Sequence, residues 1–189
     1  MNRTPPKVSI GMPVYNGAAT IRDAVASLRE QTFTDFELII SDNASNDGTE
    51  AICRELADLD NRLRYIRQPK NLGFLKNFGL VLDESVGEYF MWNGCDDVRS
   101  KGYIEKNLDF LMVNPDFVGS ASPNCFKGDE SAPEKWDSFP LEMNLYSRLR
   151  RFLDHSWRSH GSFYCLFRKE TLLRAFAHQP SKPIFGWDW

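Results

Sequence analysis

Two adjacent carboxylates, Asp96 and Asp97, follow an apolar stretch at residues 89–92. Negative charges at the end of a buried strand are costly unless a cation or strong hydrogen bonds compensate them. Two carboxylates favour a hard divalent cation with oxygen ligands, Mg²⁺ or Mn²⁺, which commonly also binds substrate phosphates. The pair is also compatible with a solvated turn or with a helix cap at Asp97. On its own, the pair leaves both interpretations open.

Two further polar positions also follow apolar stretches. Asp42 ends one of them, so its carboxylate accepts hydrogen bonds either from a ligand or from the turn that follows it. Tyr15 and Asn16 come shortly after Pro13. An aromatic face beside an amide suits a nucleobase pocket, but Asn16 followed by Gly17 is also an ordinary turn pair.

The segments that would position these residues alternate between strand and helix through about residue 115. Periodicity supports this, since Ile21, Val25 and Leu28 recur at the spacing of one helical face. The predicted strands are residues 8–14, 36–41, 63–66, 88–92 and 162–168. Helices are predicted at residues 18–31, 74–84, 142–154 and 169–177. A further helix starts at a capping-box-like pair, Asp47 and Glu50, and has Ile52, Leu56 and Leu59 on its apolar face. Another follows the Asp pair and has Ile104, Leu108 and Leu111 on one face. Residues 123–140 are rich in Pro, Ser, Gly and charge and predict a long loop.

Alternating strands and helices are typical of βαβ units, which predict an α/β fold with a largely parallel sheet and helices on both faces. Ligands in such sheets bind outside the carboxyl ends of the strands. Three polar clusters fall at those ends, at residues 13–17, 42–47 and 93–97. We therefore expect them to converge in space.

Composition excludes several classes of protein. The 189 residues carry a net charge of -3, so the chain has no general affinity for nucleic acid. No apolar run reaches the roughly 18 residues that span a membrane. The four cysteines form no CxxC pair and are expected to be buried free thiols in a reducing cytosol. The three histidines have no metal-binding spacing such as HExxH.

Several motifs occur together in a characteristic order, and their order and spacing resemble family 2 glycosyltransferases of the GT-A fold. The resemblance is strong from residue 8 to about 112 and weaker over 160–189. The motifs are VSIGMPVYN at 8–16, QTFTDFE at 31–37, SDNASNDGT at 41–49, NLG at 71–73, KNFGL at 76–80 and GEY at 87–89. The implied fold is a three-layer α/β/α sandwich with a mainly parallel, mixed central sheet.

The resemblance implies roles for individual residues of the donor site. Pro13, Tyr15 and Asn16 would line the nucleotide pocket, and Asp42 would contact the base. Lys76 stands where the family often has a basic residue near the nucleotide.

The resemblance also implies a metal site and a catalytic base. Asp96 would ligate Mn²⁺ or Mg²⁺ with Asp97 beside it, although Gly94 stands where the family pattern commonly begins with another Asp. Asn43 and Ala44 likewise replace the usual Asp-Gly. Asp188, near the end of the chain, matches the acidic segment that supplies the catalytic base; the alternative is a surface residue at a chain end.

The implied reaction is transfer of a sugar from a nucleoside diphosphate sugar, with UDP or dTDP expected, to an acceptor hydroxyl with inversion. The acceptor could be a glycan, a lipid-linked sugar or a protein. The expected location is cytoplasmic, with the inner face of the membrane a further option. Residues 1–115 would form the nucleotide-sugar-binding part and residues 116–189 the start of an acceptor-side part of the same domain, truncated at the end.

Two other functions share features with this one. A catalytically idle nucleotide-sugar-binding domain is compatible with Gly94 and with the chain's end. A sugar-1-phosphate nucleotidyltransferase shares the general architecture, but the chain lacks the Gly-rich, Arg-containing phosphate loop that would follow its first strand.

Overall fold

The computed structural model describes residues 4–122 and 163–177. Ten of the eleven elements described below were predicted from the sequence, with ends shifted by up to a few residues. The strands are β1 (Val8–Val14), β2 (Phe36–Asp42), β3 (Leu63–Arg67), β4 (Tyr89–Trp92), β5 (Gly119–Ser120) and β6 (Leu166–Arg168). The helices are α1 (Ile21–Arg29), α2 (Thr49–Leu59), α3 (Phe74–Asp83), α4 (Tyr103–Val113) and α5 (Lys169–Ala177). The predicted loop at 123–140 and helix at 142–154 lie outside the described residues.

The described strands form one sheet in the order β3-β2-β1-β4-β6-β5. The first four strands in this order run parallel, whereas β6 runs antiparallel to both β4 and β5. The predicted α/β class with a mainly parallel, mixed sheet is therefore confirmed. β5 was not predicted, because a two-residue strand has no periodicity to detect.

Helices cover both faces of the sheet, as expected for three layers. On one face α1, α2 and α4 pack through Val25, Leu56 and Leu108 against alternate residues of β1 and β2. On the other face α3 and α5 pack through Val81 and Leu172 against the opposite side of β2 and β4. Because β1 and β2 are covered on both sides, all seven residues of β1 are buried.

Two details of α2 differ from the sequence prediction. The reciprocal capping box is wrong: α2 begins at Thr49, and Glu50 pairs with Arg54 and Arg67 instead of reaching back to Asp47. Leu59, expected on the buried face, is 62% exposed because it is the last residue of the helix.

The register of the parallel strands brings their carboxyl ends to one edge. Val14 at the end of β1 lies beside Asp42 at the end of β2, and Trp92 at the end of β4 lies beside Gly11. None of the described helices has the length and apolar character needed to cross a bilayer.

Close contact between α3 and β1 depends on a glycine. A Cβ atom built on Gly11 would lie 2.6 Å from Val81 Cγ2 and 2.8 Å from Phe90 Cζ. Gly79, which is in α3 itself, would meet no atom of the described residues within 4 Å.

We expect Gly11→Ala to lower the free energy of unfolding by about 1–3 kcal/mol, because the added methyl overpacks this contact. The matched control Gly79→Ala should be neutral or stabilising by up to about 1 kcal/mol, since alanine is the better helix former. Chemical denaturation measures both, and equal effects of the two substitutions would contradict the packing account.

Candidate functional site

The three polar clusters at the strand ends converge, as the sequence predicted. The backbone N–H of Asn16 donates to Ser45 Oγ at 2.8 Å, and Asn16 Oδ1 accepts from the N–H of Asn46 at 2.9 Å. The loop after β4 joins them, because a Cβ atom on Gly17 would lie 3.1 Å from Cys95 Sγ. One ligand can therefore reach all three loops.

The loop after β2 is shaped by Asp47, which holds two neighbouring segments. Its carboxylate accepts from the N–H of Thr49 at 2.9 Å and from the N–H of Ala18 at 3.1 Å. The hydroxyl of Thr49 also donates to it, and these hydrogen bonds hold the pKa of Asp47 below its usual value. The carboxylate is thereby kept charged at the start of α2, where the helix dipole favours an anion.

Asp42 is fully buried at the end of β2. Its Oδ1 accepts from the N–H of Ser45 at 2.8 Å and its Oδ2 from the hydroxyl of Tyr65 at 2.7 Å. Arg67 lies 3.7 Å from the same Oδ2. Burial, followed by the bond to Asp42, raises the pKa of Tyr65, so this phenol remains a neutral donor. Sequence reasoning missed Tyr65, because one tyrosine within the predicted strand at 63–66 has no distinctive spacing.

The predicted pocket residues after β1 occupy two environments. Pro13 is buried within β1. Tyr15, 48% exposed, and Asn16 extend beyond the strand end. Asn16 has a left-handed φ of 55°, which asparagine tolerates better than most residues. An aromatic ring and an amide are thus both available at the edge of the sheet.

Lys76 lies in the first turn of α3 and is exposed. The start of α3 is tied to the end of β2 by Asn43, whose Nδ2 donates to Asn71 Oδ1 at 2.9 Å. The Oδ1 of Asn43 accepts from the N–H of Leu72 at 2.7 Å. An aspartate at position 43 could not donate to Asn71 Oδ1. The replacement of Asp by Asn at this position therefore allows the hydrogen bond that joins the two loops.

Asp96 and Asp97 converge over Gly94. A Cβ atom on Gly94 would lie 2.8 Å from Asp96 Oδ1 and 2.9 Å from Asp97 Oδ2. Glycine at this position therefore leaves a small space that two carboxylate oxygens face. Burial raises the pKa of the neighbouring Cys95 thiol, which keeps it protonated.

The donor set fits a divalent cation that is shared with a substrate. Mg²⁺ commonly takes one or two protein carboxylates and completes its octahedron with water and phosphate oxygens. Within residues 4–122 and 163–177 no third His, Cys, Asp or Glu joins the pair. Two carboxylates over Gly94 suffice for a site of this kind, but not for a cation held by protein alone.

The loop that carries the pair is built on Asn93 and Arg99. Asn93 is fully buried and donates from Nδ2 to the carbonyl of Asp97 at 3.0 Å. Its Oδ1 accepts from Arg99 Nε at 2.7 Å. Sequence reasoning missed Arg99, because an arginine two positions after a carboxylate pair has no distinctive spacing. The predicted base Asp188 lies outside the described residues.

Comparisons with known proteins agree with this architecture. Residues 9–176 match the family described as Glycosyl transferase family 2. A GalNAc(5)-diNAcBac-PP-undecaprenol beta-1,3-glucosyltransferase of Campylobacter jejuni is 32% identical over 168 residues, 88% of this chain and 53% of that protein. The putative teichuronic acid biosynthesis glycosyltransferase TuaG of Bacillus subtilis is 32% identical over 59% of this chain and 44% of that protein.

Solved structures share the fold. The structure of S. aureus TarS 1-349 in complex with UDP-GlcNAc has a TM-score of 0.73 at 21% identity, covering 92% of this chain and 48% of that one. A mannosyltransferase of Pyrobaculum calidifontis in complex with GDP-Man and Mn²⁺ has a TM-score of 0.58 at 21% identity, covering 64% and 36%. The chain spans about half or less of the length of the relatives it matches.

Ala44 adopts a conformation that glycine would adopt more easily. Its φ is 62°, in the left-handed region, and the loop after β2 requires it. This conformation costs a non-glycine residue about 1–2 kcal/mol. Replacement by glycine removes that cost, but glycine's greater freedom in the unfolded chain offsets about 0.5–1 kcal/mol of the gain.

We expect Ala44→Gly to raise the free energy of unfolding by up to about 1 kcal/mol, as measured by chemical denaturation. Ala26→Gly, on the exposed face of α1, is the control and should lower it by about 1 kcal/mol. If Ala44→Gly destabilises the protein as much as the control does, residue 44 is not strained.

Proposed function

The chain belongs to glycosyltransferase family 2, and we propose that it transfers a sugar from a nucleoside diphosphate sugar to an acceptor hydroxyl. The observation that carries the proposal is the convergence of three strand-end loops, with Asp96 and Asp97 facing one space over Gly94. This edge of the sheet presents the ring of Tyr15 and the amide of Asn16, which suit a nucleobase, together with the two carboxylates, which suit a divalent cation.

In the proposed donor complex the base contacts the loops after β1 and β2. Tyr15 and Asn16 provide an exposed ring and amide, and Asp42, buried at the end of β2, would accept a hydrogen bond from the base. Because Asp42 is buried and bonded to Tyr65, its contact with a base needs the tyrosine hydroxyl to shift or to share the carboxylate. Lys76 provides a positive charge for the nucleotide.

Asp96 and Asp97 would hold a divalent cation, Mn²⁺ or Mg²⁺, beside the donor diphosphate. The cation would neutralise charge that develops on the departing diphosphate. The two carboxylates would orient the cation, and phosphate oxygens and water would complete its ligands. The complex of a structural neighbour with GDP-Man and Mn²⁺ supports this assignment.

Asp188 is proposed as the general base that takes the proton of the acceptor hydroxyl as it attacks the anomeric carbon. A single displacement of this kind inverts the anomeric centre. The proposed donor is a UDP sugar, or a dTDP sugar, supported by the neighbour in complex with UDP-GlcNAc. The name of the C. jejuni relative supports a lipid-linked acceptor, which would place the reaction at the cytoplasmic face of a membrane.

A second candidate is a domain that binds the nucleotide sugar without transferring it, favoured by Gly94 in place of an acidic residue. Slow hydrolysis of the donor separates the two, because a competent site cleaves the sugar–phosphate bond even when water replaces the acceptor. Turnover of UDP-GlcNAc or UDP-glucose above the buffer rate supports the transferase.

We expect Asp96→Ala to abolish the gain in UDP affinity that Mn²⁺ provides. Calorimetry of UDP binding, with and without Mn²⁺, should give a dissociation constant at least about tenfold weaker for the variant in the presence of the metal, or ~1.4 kcal/mol. The control Asp109→Ala removes an exposed carboxylate from α4 and should match the wild type. If UDP binds equally with and without Mn²⁺ in all three proteins, the metal role is refuted.

We expect Asp188→Asn to retain Mn²⁺-dependent UDP binding and to lower the rate of transfer about 10²–10⁴-fold, the usual effect of losing a general base. Transfer of labelled sugar from UDP sugars to undecaprenyl-diphosphate-linked oligosaccharides provides the assay. Because the substitution is nearly isosteric, a large loss is not a packing effect. Near-wild-type transfer would exclude Asp188, and loss of UDP binding would make it a donor contact.

A further inference from the structure

Arg99 is a buried arginine directly behind the acidic pair. Its side chain is 6% exposed, whereas that of Asp97 is 40% exposed. A buried guanidinium is stable only when its charge and donors are matched by nearby acceptors. Its surroundings therefore indicate what it does.

The guanidinium is held from several sides. Nε donates to Oδ1 of the buried Asn93 at 2.7 Å. The rings of Tyr103 and Tyr164 flank it, with centroids 4.8 and 5.7 Å from Cζ. The two tyrosines are joined, because the hydroxyl of Tyr103 donates to the carbonyl of Tyr164 at 2.9 Å. Arg99 is thus fixed by α4 and by the segment that leads into β6.

One donor of this guanidinium is not used within the described structure. Nη2 has no hydrogen-bond partner among the described residues, and it lies 3.5 Å from Oδ2 of Asp97. The same Oδ2 accepts from the N–H of Gly94 at 3.3 Å. Nη2 therefore makes an ion-pair contact, without a hydrogen bond, to the carboxylate oxygen that faces the space over Gly94.

We propose that Arg99 is a positioning residue for the acidic pair: it holds Oδ2 of Asp97 over Gly94, so that the carboxylate is in place before a divalent cation and the donor diphosphate bind. The inference rests on the proposed metal site and extends it to a residue that touches neither cation nor substrate. The small exposed fraction of Arg99 separates it from an arginine that contacts phosphate directly.

Two effects of the guanidinium on cation affinity have opposite signs. Its positive charge repels a cation, which would weaken binding. Its hold on Asp97 removes the conformational freedom of that side chain and offsets the repulsion between two neighbouring carboxylates, which strengthens binding. Because the charge is already paired with Asp97, positioning dominates. Loss of a group that orients a metal ligand typically weakens metal affinity about 10–100-fold.

The test compares Mn²⁺ binding by the full chain and three variants, using the electron paramagnetic resonance signal of free Mn²⁺ and calorimetry with UDP. Arg99→Met retains an apolar stem and removes the charge and the donors. Arg99→Lys retains the charge but cannot contact Asn93 and Asp97 together. The matched control is Arg168→Met. Arg168 is half-buried and, like Arg99, lies over a tyrosine ring, but it bonds backbone carbonyls away from the acidic pair.

We expect Arg99→Met to raise the dissociation constant for Mn²⁺ about 10–100-fold and Arg99→Lys to raise it by a smaller factor. Arg168→Met should lower the unfolding temperature and leave Mn²⁺ affinity unchanged. If Arg99→Met fails to fold, the Mn²⁺ affinity of Arg99→Lys decides whether the inference holds.

Wild-type Mn²⁺ affinity in a folded Arg99 variant would overturn the inference, and tighter binding by Arg99→Met would show that repulsion dominates and would also overturn it. If the wild-type chain binds no Mn²⁺, with or without UDP, the metal role of Asp96 and Asp97 is refuted, and so is the positioning role of Arg99. That result is visible before any variant is made.

Discussion

Two like-charged carboxylates face one small space over Gly94, and much of the surrounding structure follows from the need to hold them there. Two unit charges 4 Å apart repel by about 4 kcal/mol at an effective dielectric constant of 20. Buried polar contacts in the loop offset this repulsion. Asn93 donates to the backbone of the loop and accepts from Arg99, and the guanidinium of Arg99 lies beside the carboxylate of Asp97. The outward side is left for a cation and an anionic ligand.

This arrangement needs a rigid support, which the parallel strands provide. β1 lies between β2 and β4 and is buried along its whole length, so the ends of these three strands cannot move independently. Hydrogen bonds between the loops after β1 and β2, such as that from Asn16 to Ser45, then fix the nucleotide side of the edge. The strained backbone at Ala44 is sustained because the loop is fixed at both ends.

The antiparallel edge connects this half to the rest of the chain. β6 pairs with β4, and Tyr164, two residues before β6 begins, packs against Arg99. Residues far apart in sequence thus meet behind the acidic pair.

The sequence by itself determined the alternation of strands and helices, because hydrophobic periodicity is a local property that a single chain displays. It also determined that the polar clusters at 13–17, 42–47 and 93–97 meet, because the ends of parallel strands share an edge. Even the range of α5 was predictable. Only the tertiary structure decided which strands are neighbours, that β6 reverses direction, and that Tyr65 and Arg99 serve the carboxylates of Asp42 and Asp97. Those contacts join residues from separate elements or from irregular loops, where spacing along the chain does not specify which side chains will face each other.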